Sequence, residues 1–266
     1  MYEERQFRIL VMRKYYPIHE LTSYDEFWDV LVQIATSVHK IYAKAKILHR
    51  DISIGNLAFY RVGDKVIGIL LDFDLASFPH EGHASRHRTG TAPFMAREVL
   101  NAARNAYCHG IHHELESILY IAIWHGVGYV GYAPPNKDIL KGWRTGDWSQ
   151  LLKEKKAFLD DEDVWEPIMS NLKSHDKNLA ARCLSIRRLF VRAYKEKTAV
   201  EDVQKERSAA EAIEKVRKGL DPFADQEKPT IVTERAITFS EWMKAAGEEL
   251  HEDVKSVGLT LDPLDC

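Results

Sequence analysis

The apolar positions between Phe27 and Tyr42 recur at spacings of three and four residues. Ser23 and Glu26 precede them in the pattern of a capping box, in which both side chains bond backbone N–H groups of a helix's first turn. This combination predicts a helix over residues 24–44 with one buried face. The apolar stripe consists of Phe27, Leu31, Ile34, Val38, Ile41 and Tyr42.

Three short segments have the apolar runs typical of strands. The runs at residues 57–62 and 65–71 flank the turn-forming pair Gly-Asp at 63–64, which predicts a β-hairpin. The run at residues 7–12 predicts one more short strand near the start of the chain. Because these strands are few, we expect a mainly helical structure.

The second half of the chain is dominated by helical patterns. Residues 115–124 are almost wholly apolar, which predicts a buried helix. Periodic apolar positions predict further helices over residues 148–159 and 179–194. A second capping box at residues 238–241 predicts a last helix near the end.

The composition changes after about residue 195. Residues 195–218 are rich in Lys and Glu on most faces, which predicts a solvated helix or a partly disordered segment. We therefore divide the chain into a domain at residues 1–200 and a helical, partly disordered tail at residues 201–266. A regulatory partner that binds through this tail is a further expectation.

Composition narrows the possible partners and compartment. The 266 residues carry a formal net charge of −3, so the charge pattern of a nucleic-acid-binding protein is absent. No uninterrupted apolar stretch reaches the roughly 18 residues of a membrane span, and we expect no membrane partner. Cys108, Cys183 and Cys266 are widely spaced and odd in number, which favours free thiols in a reducing compartment. We expect a cytoplasmic or nuclear protein.

The candidate chemistry lies in the sequence H-R-D-I-S-I-G-N at 49–56, which D-F-D at 72–74 follows. Phosphoryl transfer requires a carboxylate that accepts the proton of the acceptor hydroxyl, and an amide and a second carboxylate that hold Mg²⁺. Asp51, Asn56 and Asp72 supply these groups in the order and spacing of the protein kinase signature. The spacing therefore predicts phosphotransfer.

Further segments extend the similarity beyond the catalytic motif. They are L-D-F-D-L-A at 71–76, G-T-A-P-F-M-A-R-E at 90–98, H-E-L-E-S-I-L-Y at 113–120, G-W-R-T-G-D-W at 142–148 and K-E-K-K-A-F-L at 153–159. In this order the chain resembles the fungal-type protein kinase family from residue 7 to about residue 195. The resemblance implies an α+β, mainly α-helical kinase-like C-terminal lobe, with a small hairpin at the catalytic loop and a short hinge strand at the N-terminus. It also implies ATP and Mg²⁺ as cofactors and serine or threonine hydroxyls of a protein substrate as acceptors.

The resemblance assigns roles to the residues of the catalytic motif. Asp51 is the expected catalytic base, and Asn56 and Asp72 are the expected Mg²⁺ ligands, with contacts to ATP. Ser53 stands where many serine/threonine kinases carry a lysine that touches the transferring phosphate, and we include it among the catalytic residues. Arg50 either binds a phosphate on the activation segment or forms an ordinary salt bridge.

The remaining expectations concern residues on either side of the motif. Thr91 is expected to bond near Asp51 and to shape the peptide-docking surface. Glu98 is expected to anchor the activation segment by an ion pair with an arginine. Glu114 stands where kinases usually carry an aspartate that holds the catalytic loop, and its additional methylene predicts a looser contact. Backbone groups of residues 12–14, namely Met12, Arg13 and Lys14, are expected to face adenine.

One part of the kinase pattern is not found before His49: no glycine-rich loop and no strand lysine can be placed there. We therefore expect a truncated kinase whose activity in this form is doubtful, with weak ATP binding. Two alternatives stay open from the sequence. One is a small-molecule phosphotransferase of kinase-like fold, and the other is a catalytically inactive kinase-lobe scaffold.

Overall fold

The computed structural model describes residues 11, 13–79, 90–101, 109–218, 220–221 and 237–249. Within these residues the chain is mainly helical with one small antiparallel sheet, which confirms the predicted α+β class. The strands are β1 (Tyr16–Pro17), β2 (Leu57–Val62) and β3 (Lys65–Leu70). The α-helices are α1 (Tyr24–Ala45), α2 (Arg97–Asn101), α3 (Ile111–Gly126), α4 (Trp148–Asp160), α5 (Glu162–His175), α6 (Lys177–Arg217) and α7 (Phe239–Ala246).

Helix α1 has the bounds that its sequence pattern predicts to within one residue. The Ser23 hydroxyl accepts a hydrogen bond from the Glu26 backbone N–H at 3.3 Å and so caps the first turn. At the other end Lys46 takes a left-handed conformation, with φ 55°, and stops the helix. The apolar stripe of α1 is buried in the core except for Ile41, which is half-buried.

The predicted hairpin is confirmed, and it packs on α1. β2 and β3 pair antiparallel from Leu57↔Leu70 to Val62↔Lys65, and β1 adds to the outer side of β2. The side-chain amide of Gln33 on α1 bonds the exposed edge of β3, accepting from the Gly68 N–H and donating to the Val66 carbonyl. These bonds satisfy backbone groups that would otherwise be unpaired at a sheet edge.

Helix α3 lies at the centre of the core. Nearly every residue of α3 is buried, and its neighbours include α1, α5 and α6. The buried set includes two carboxylates, Glu114 and Glu116, which the apolar pattern alone does not explain. Their partners are described below.

Two further helices are compared with the sequence-based predictions. Helix α5 was not predicted, because Pro167 lies inside it; the Asp161 side chain caps its first turn. The helix predicted over residues 179–194 is part of α6, which continues to Arg217 and is largely exposed beyond Tyr194, in agreement with the solvated helix expected as one alternative for residues 195–218. The tail predicted after residue 200 is thus helical at its start.

The last predicted helix is confirmed as α7. Thr238 and Glu241 form its capping box, and Gly247, with φ 78°, ends it. Trp242 is fully buried and stacks on Trp28 of α1, so α7 belongs to the same core. The predicted strand at residues 7–12 lies outside the described residues, apart from Val11, which is in no regular element.

Among the residues that the structure describes, we find no helix that combines the length and the apolar character needed to cross a bilayer.

His125 on α3 is expected to make the fold sensitive to acid. Its ring stacks on Phe27 at 4.0 Å, and burial, with His19 nearby, lowers its pKa to about 4 from 6.5. The folded state therefore resists protonation. The stability that this residue contributes is complete above pH 6.5 and is lost as the pH falls towards 4, by up to roughly 3 kcal/mol at about 1.4 kcal/mol per pKa unit.

Urea denaturation at several pH values tests this prediction. The variant His125→Phe keeps an aromatic ring against Phe27 but cannot titrate, so its free energy of unfolding should fall less between pH 6.5 and 4 than that of the wild type. His175→Gln, at an exposed position, serves as the control and should follow the wild type. An equal acid dependence in wild type and His125→Phe would contradict the prediction.

Candidate active site

The segment between α1 and β2, residues 46–56, carries the H-R-D motif and is tied to the segment that follows β3. Leu48 and Ser77 exchange both backbone hydrogen bonds, at 3.0 and 3.1 Å. The His49 ring is buried and its Nε2 lies 2.9 Å from the Leu71 carbonyl oxygen. His49 therefore has a structural role, in which its buried ring joins the two segments. These contacts bring the H-R-D loop and the D-F-D segment side by side.

Glu114 holds the catalytic loop from the core. Its carboxylate accepts hydrogen bonds from the backbone N–H groups of His49 at 3.0 Å and Arg50 at 2.9 Å, and it also contacts His109 at 2.9 Å. Burial opposes ionisation of Glu114, but the contact with His109 and the Arg50 N–H prevail and lower its pKa. Both loop contacts have ordinary lengths, so the prediction that the glutamate holds the loop more loosely is wrong.

Asp51 lies at the centre of a cluster of polar contacts. Its Oδ1 accepts hydrogen bonds from the backbone N–H and the hydroxyl of Thr91, both at 2.8 Å. Its Oδ2 accepts a hydrogen bond from Asn56 Nδ2 at 3.0 Å, and the same nitrogen donates to the Asp51 carbonyl. The structure thus brings three predicted site residues, Asp51, Asn56 and Thr91, into direct contact.

Gly90 lets the activation segment approach the catalytic loop closely. Its φ of 117° lies in the region that favours glycine, and a Cβ at this position would stand 3.1 Å from the Arg50 carbonyl oxygen. A side chain here would move Thr91 away from Asp51. The glycine of the G-T pair is therefore part of the site's geometry.

Asn56 and Asp72 each have a side-chain oxygen that remains for a ligand, and Mg²⁺ requires oxygen ligands. Because Asn56 Nδ2 is directed at Asp51, the amide oxygen is the atom that remains for a ligand. The Leu71 N–H donates to the Asn56 carbonyl at 2.9 Å. Asp72 follows Leu71 in the chain and is therefore held near Asn56. Asp72 is exposed, has φ 61°, and accepts one bond from the Asp74 N–H through Oδ1. This pair of hard oxygen donors fits Mg²⁺.

The other predicted residues of the motif occupy different environments. Arg50 is half-buried, and its guanidinium donates to the Ser77 hydroxyl at 3.0 Å. Ser53 is only 1% exposed, so the structure does not bring its side chain to the open side of the loop. Its carbonyl instead accepts from the Asn56 N–H and shapes the turn.

Two of the residues expected at the adenine site, Arg13 and Lys14, precede β1 and contact side chains of the sheet. Arg13 lies over the Tyr60 ring, 4.2 Å from its centre, and Lys14 lies over the Tyr16 ring at 5.2 Å. These side chains thus contact aromatic rings, and the contact of the backbone groups with adenine stays a prediction. Met12 lies outside the described residues.

Glu98, at the end of the activation segment, has a different partner from the one predicted. Among the described residues, its ion pair is with Lys197 of α6, and the prediction of an arginine is wrong. His113 Nε2 also contacts Glu98, at 3.0 Å. Burial raises the pKa of Glu98, but the hydrogen bonds of His112 and His113 outweigh it, and the pKa is lowered.

Glu98, His112 and His113 are compact enough to suggest a metal site, since their ligand atoms lie within 4.8 Å of one another. The hydrogen bonds argue against one. His113 Nδ1 accepts from the Gly110 N–H, and burial lowers the pKa of His113 well below its ordinary value. The neutral ring therefore carries its proton on Nε2, which donates to Glu98, whereas a metal ligand needs a lone pair at that atom. The cluster anchors the activation segment.

Sequence reasoning missed several residues around this site: His109, His113, Lys197, Glu116 and Lys155. Glu116 carried a usable signal, because a carboxylate inside an apolar run must find buried partners. Lys155 and Lys197 carried none, since lysines on helices are normally solvated.

Glu114→Ala tests whether this carboxylate holds the loop. The variant leaves two backbone donors without an acceptor, at roughly 1–3 kcal/mol each, so the free energy of unfolding should fall by about 2–6 kcal/mol. Glu114→Asp keeps a carboxylate and should lose less. Urea denaturation gives both values, and an unchanged stability of Glu114→Ala would contradict the assignment.

Comparison with known protein families agrees with this geometry. Residues 1–125 match the family model described as fungal protein kinase. The matched part contains the catalytic loop, the D-F-D segment, the activation segment and most of α3. Over residues 1–125 the predicted resemblance is confirmed, because this part of the chain matches the fungal protein kinase family.

Proposed function

We propose that this protein transfers the γ-phosphate of ATP to serine or threonine hydroxyls of protein substrates, with Asp51 as the catalytic base. The observation that carries the proposal is the Asp51 carboxylate, which Thr91 and Asn56 hold from two sides. Kinase family membership over residues 1–125 supports phosphotransfer in general. The acceptor class and the donor are part of the proposal and follow from the resemblance to the fungal protein kinase family.

Asp51 has the capacity to bind an acceptor hydroxyl. Its carboxylate offers about four lone-pair positions, and three are used by Thr91 and Asn56. The remaining position accepts the hydroxyl hydrogen and orients the oxygen for attack. As the new O–P bond forms, the proton passes to Asp51 and the bond between γ-phosphorus and the bridging oxygen breaks, so that ADP leaves.

Asn56 and Asp72 are the residues that would hold Mg²⁺ near the phosphates. When bound, the ion neutralises the negative charge that the phosphate oxygens carry. The contribution of this chain is to fix the two ligands, through the bonds of Asn56 to Asp51 and to Leu71.

A protein acceptor is favoured over a small molecule by the surface next to Asp51. Residues 90–98 form a segment whose backbone is fixed at Thr91 by Asp51 and at Arg97 by Glu116. The half-exposed Tyr132 lies beside the catalytic loop and borders this surface. Its hydroxyl would be 2.8 Å from a Cβ atom placed on Gly55. An extended peptide fits such an open platform, and a small acceptor has no need of it.

Asp51→Asn tests the proposed base. General-base catalysis contributes about 10²–10⁴-fold, so phosphate transfer from radiolabelled ATP to a generic acceptor protein should fall by roughly that factor. Asp64→Asn, at the exposed tip of the hairpin, is the matched control and should transfer phosphate like the wild type. Transfer that is equal in Asp51→Asn and wild type would point to a contaminating kinase and contradict the assignment. Labelling of small acceptors in place of serine or threonine would favour a small-molecule phosphotransferase.

Asp72→Asn tests the metal ligand. Removing the carboxylate should raise the Mg²⁺ concentration needed for half-maximal transfer by at least the ~10–100-fold that loss of an outer partner of a metal ligand costs. Asp74→Asn changes the neighbouring exposed carboxylate and should leave the Mg²⁺ requirement within about twofold. Equal Mg²⁺ requirements in Asp72→Asn and wild type would exclude Asp72 as a ligand.

A further inference from the structure

Lys155 on α4 is fully buried, which is rare for a lysine. Its ammonium donates to the Pro93 carbonyl oxygen at 2.5 Å. It also lies 3.1 Å from the centre of the Tyr120 ring and 3.5 Å from that of the Trp143 ring. Burial lowers the pKa of Lys155 well below its ordinary value, and the negative charge of Glu116 opposes this.

Glu116 on α3 is the buried carboxylate whose negative charge acts on Lys155. It accepts hydrogen bonds from the hydroxyls of Tyr120 and Tyr194, each at 2.5 Å, and from the Arg97 backbone N–H at 3.0 Å. The pKa of Glu116 is raised from its ordinary value, because burial outweighs the lowering effect of these three donors. Glu116 is fully buried, so these donors take the place of water around its carboxylate.

Tyr120 connects the two charges. Its ring presents its face to the Lys155 ammonium, while its hydroxyl donates to Glu116. A phenol that donates to a carboxylate has a more electron-rich ring, and such a ring attracts a cation more strongly. One buried cation and one buried anion are therefore compensated through a single aromatic side chain.

The two charges hold the activation segment at two points. Lys155 bonds the Pro93 carbonyl, and Glu116 bonds the Arg97 N–H. The stretch between them carries Phe94 and Met95, both buried. This stretch follows Thr91 directly, and Thr91 bonds the proposed base.

We propose that Lys155 and Glu116 form one charge-compensated pair, joined by Tyr120, that fixes the backbone of residues 93–97 and so acts as a pair of positioning residues for the protein acceptor. The role toward the acceptor rests on the proposed function. The existence of the pair does not, because it is a property of the folded chain. An apolar residue in place of Lys155 would leave the Pro93 carbonyl unpaired and Glu116 uncompensated.

Hydrogen exchange tests the pair without any need for catalysis. In Lys155→Met, the amides of residues 94–97 should exchange at least about tenfold faster than in the wild type, because one of the two attachments is lost. Lys153→Met changes an exposed lysine of the same helix and should leave these amides unchanged. Amides in the middle of α1 serve as the internal reference. Unchanged exchange at residues 94–97 in Lys155→Met would overturn the proposal.

A double-mutant cycle tests the compensation. The single variants Lys155→Met and Glu116→Gln each leave one buried charge without its counterpart, so Lys155→Met/Glu116→Gln should lower the urea midpoint by less than the sum of the two single effects. Additive effects would show two independent residues and overturn the pairing. If Lys155→Met does not fold, Lys155→Gln replaces it in the cycle, since this variant removes the charge and keeps a side-chain donor for the Pro93 carbonyl.

Kinetics separate the positioning role from simple support of the fold. In Lys155→Met, the KM for the acceptor protein should rise about tenfold or more, while hydrolysis of ATP by water, which needs no platform, should stay within about twofold of wild type. A fall of both activities in parallel would assign Lys155 to general stability and overturn the positioning role. If the wild type transfers no phosphate at all, the proposed function fails, and the exchange and cycle results still decide whether the pair exists.

Discussion

The site depends on one buried carboxylate, Glu114, placed by helix α3. The catalytic loop follows a left-handed turn at Lys46 and contains a second at Arg50, so its path is not that of any regular element. The backbone N–H groups of His49 and Arg50 would be unpaired without an acceptor from outside the loop. Glu114 supplies that acceptor from the most buried helix of the protein. The position of Asp51 is therefore set by the packing of the core.

A second principle is that the activation segment is held by charges from three different helices. Glu116 lies on α3, Lys155 on α4 and Lys197 on α6. Each helix is fixed in place by its apolar face, and each contributes one polar group to a segment of irregular backbone. Such a segment has no ladder of hydrogen bonds of its own, so it takes its shape from its neighbours. The acceptor side of the site is thus a product of tertiary packing.

Much of the fold followed from the sequence, because local patterns were strong. The helix at α1 and the hairpin were predicted to within a residue, since capping residues and a Gly-Asp turn mark their ends. The contacts of the catalytic motif could not be predicted, because they join residues far apart in the chain. Glu98 shows the limit: the sequence indicates that it needs a cation but not that Lys197 supplies it, 99 residues away. Helix α5 shows another, since Pro167 hides it.

The length of α6 has a structural consequence. Residues 198–217 continue the helix beyond Lys197, and at 1.5 Å per residue they span about 30 Å. Most of this extension is exposed to solvent. Lys197, which forms the ion pair with Glu98 at the end of the activation segment, lies at the start of this extension. The far end of α6 is therefore part of the same continuous helix as the ion pair that holds Glu98.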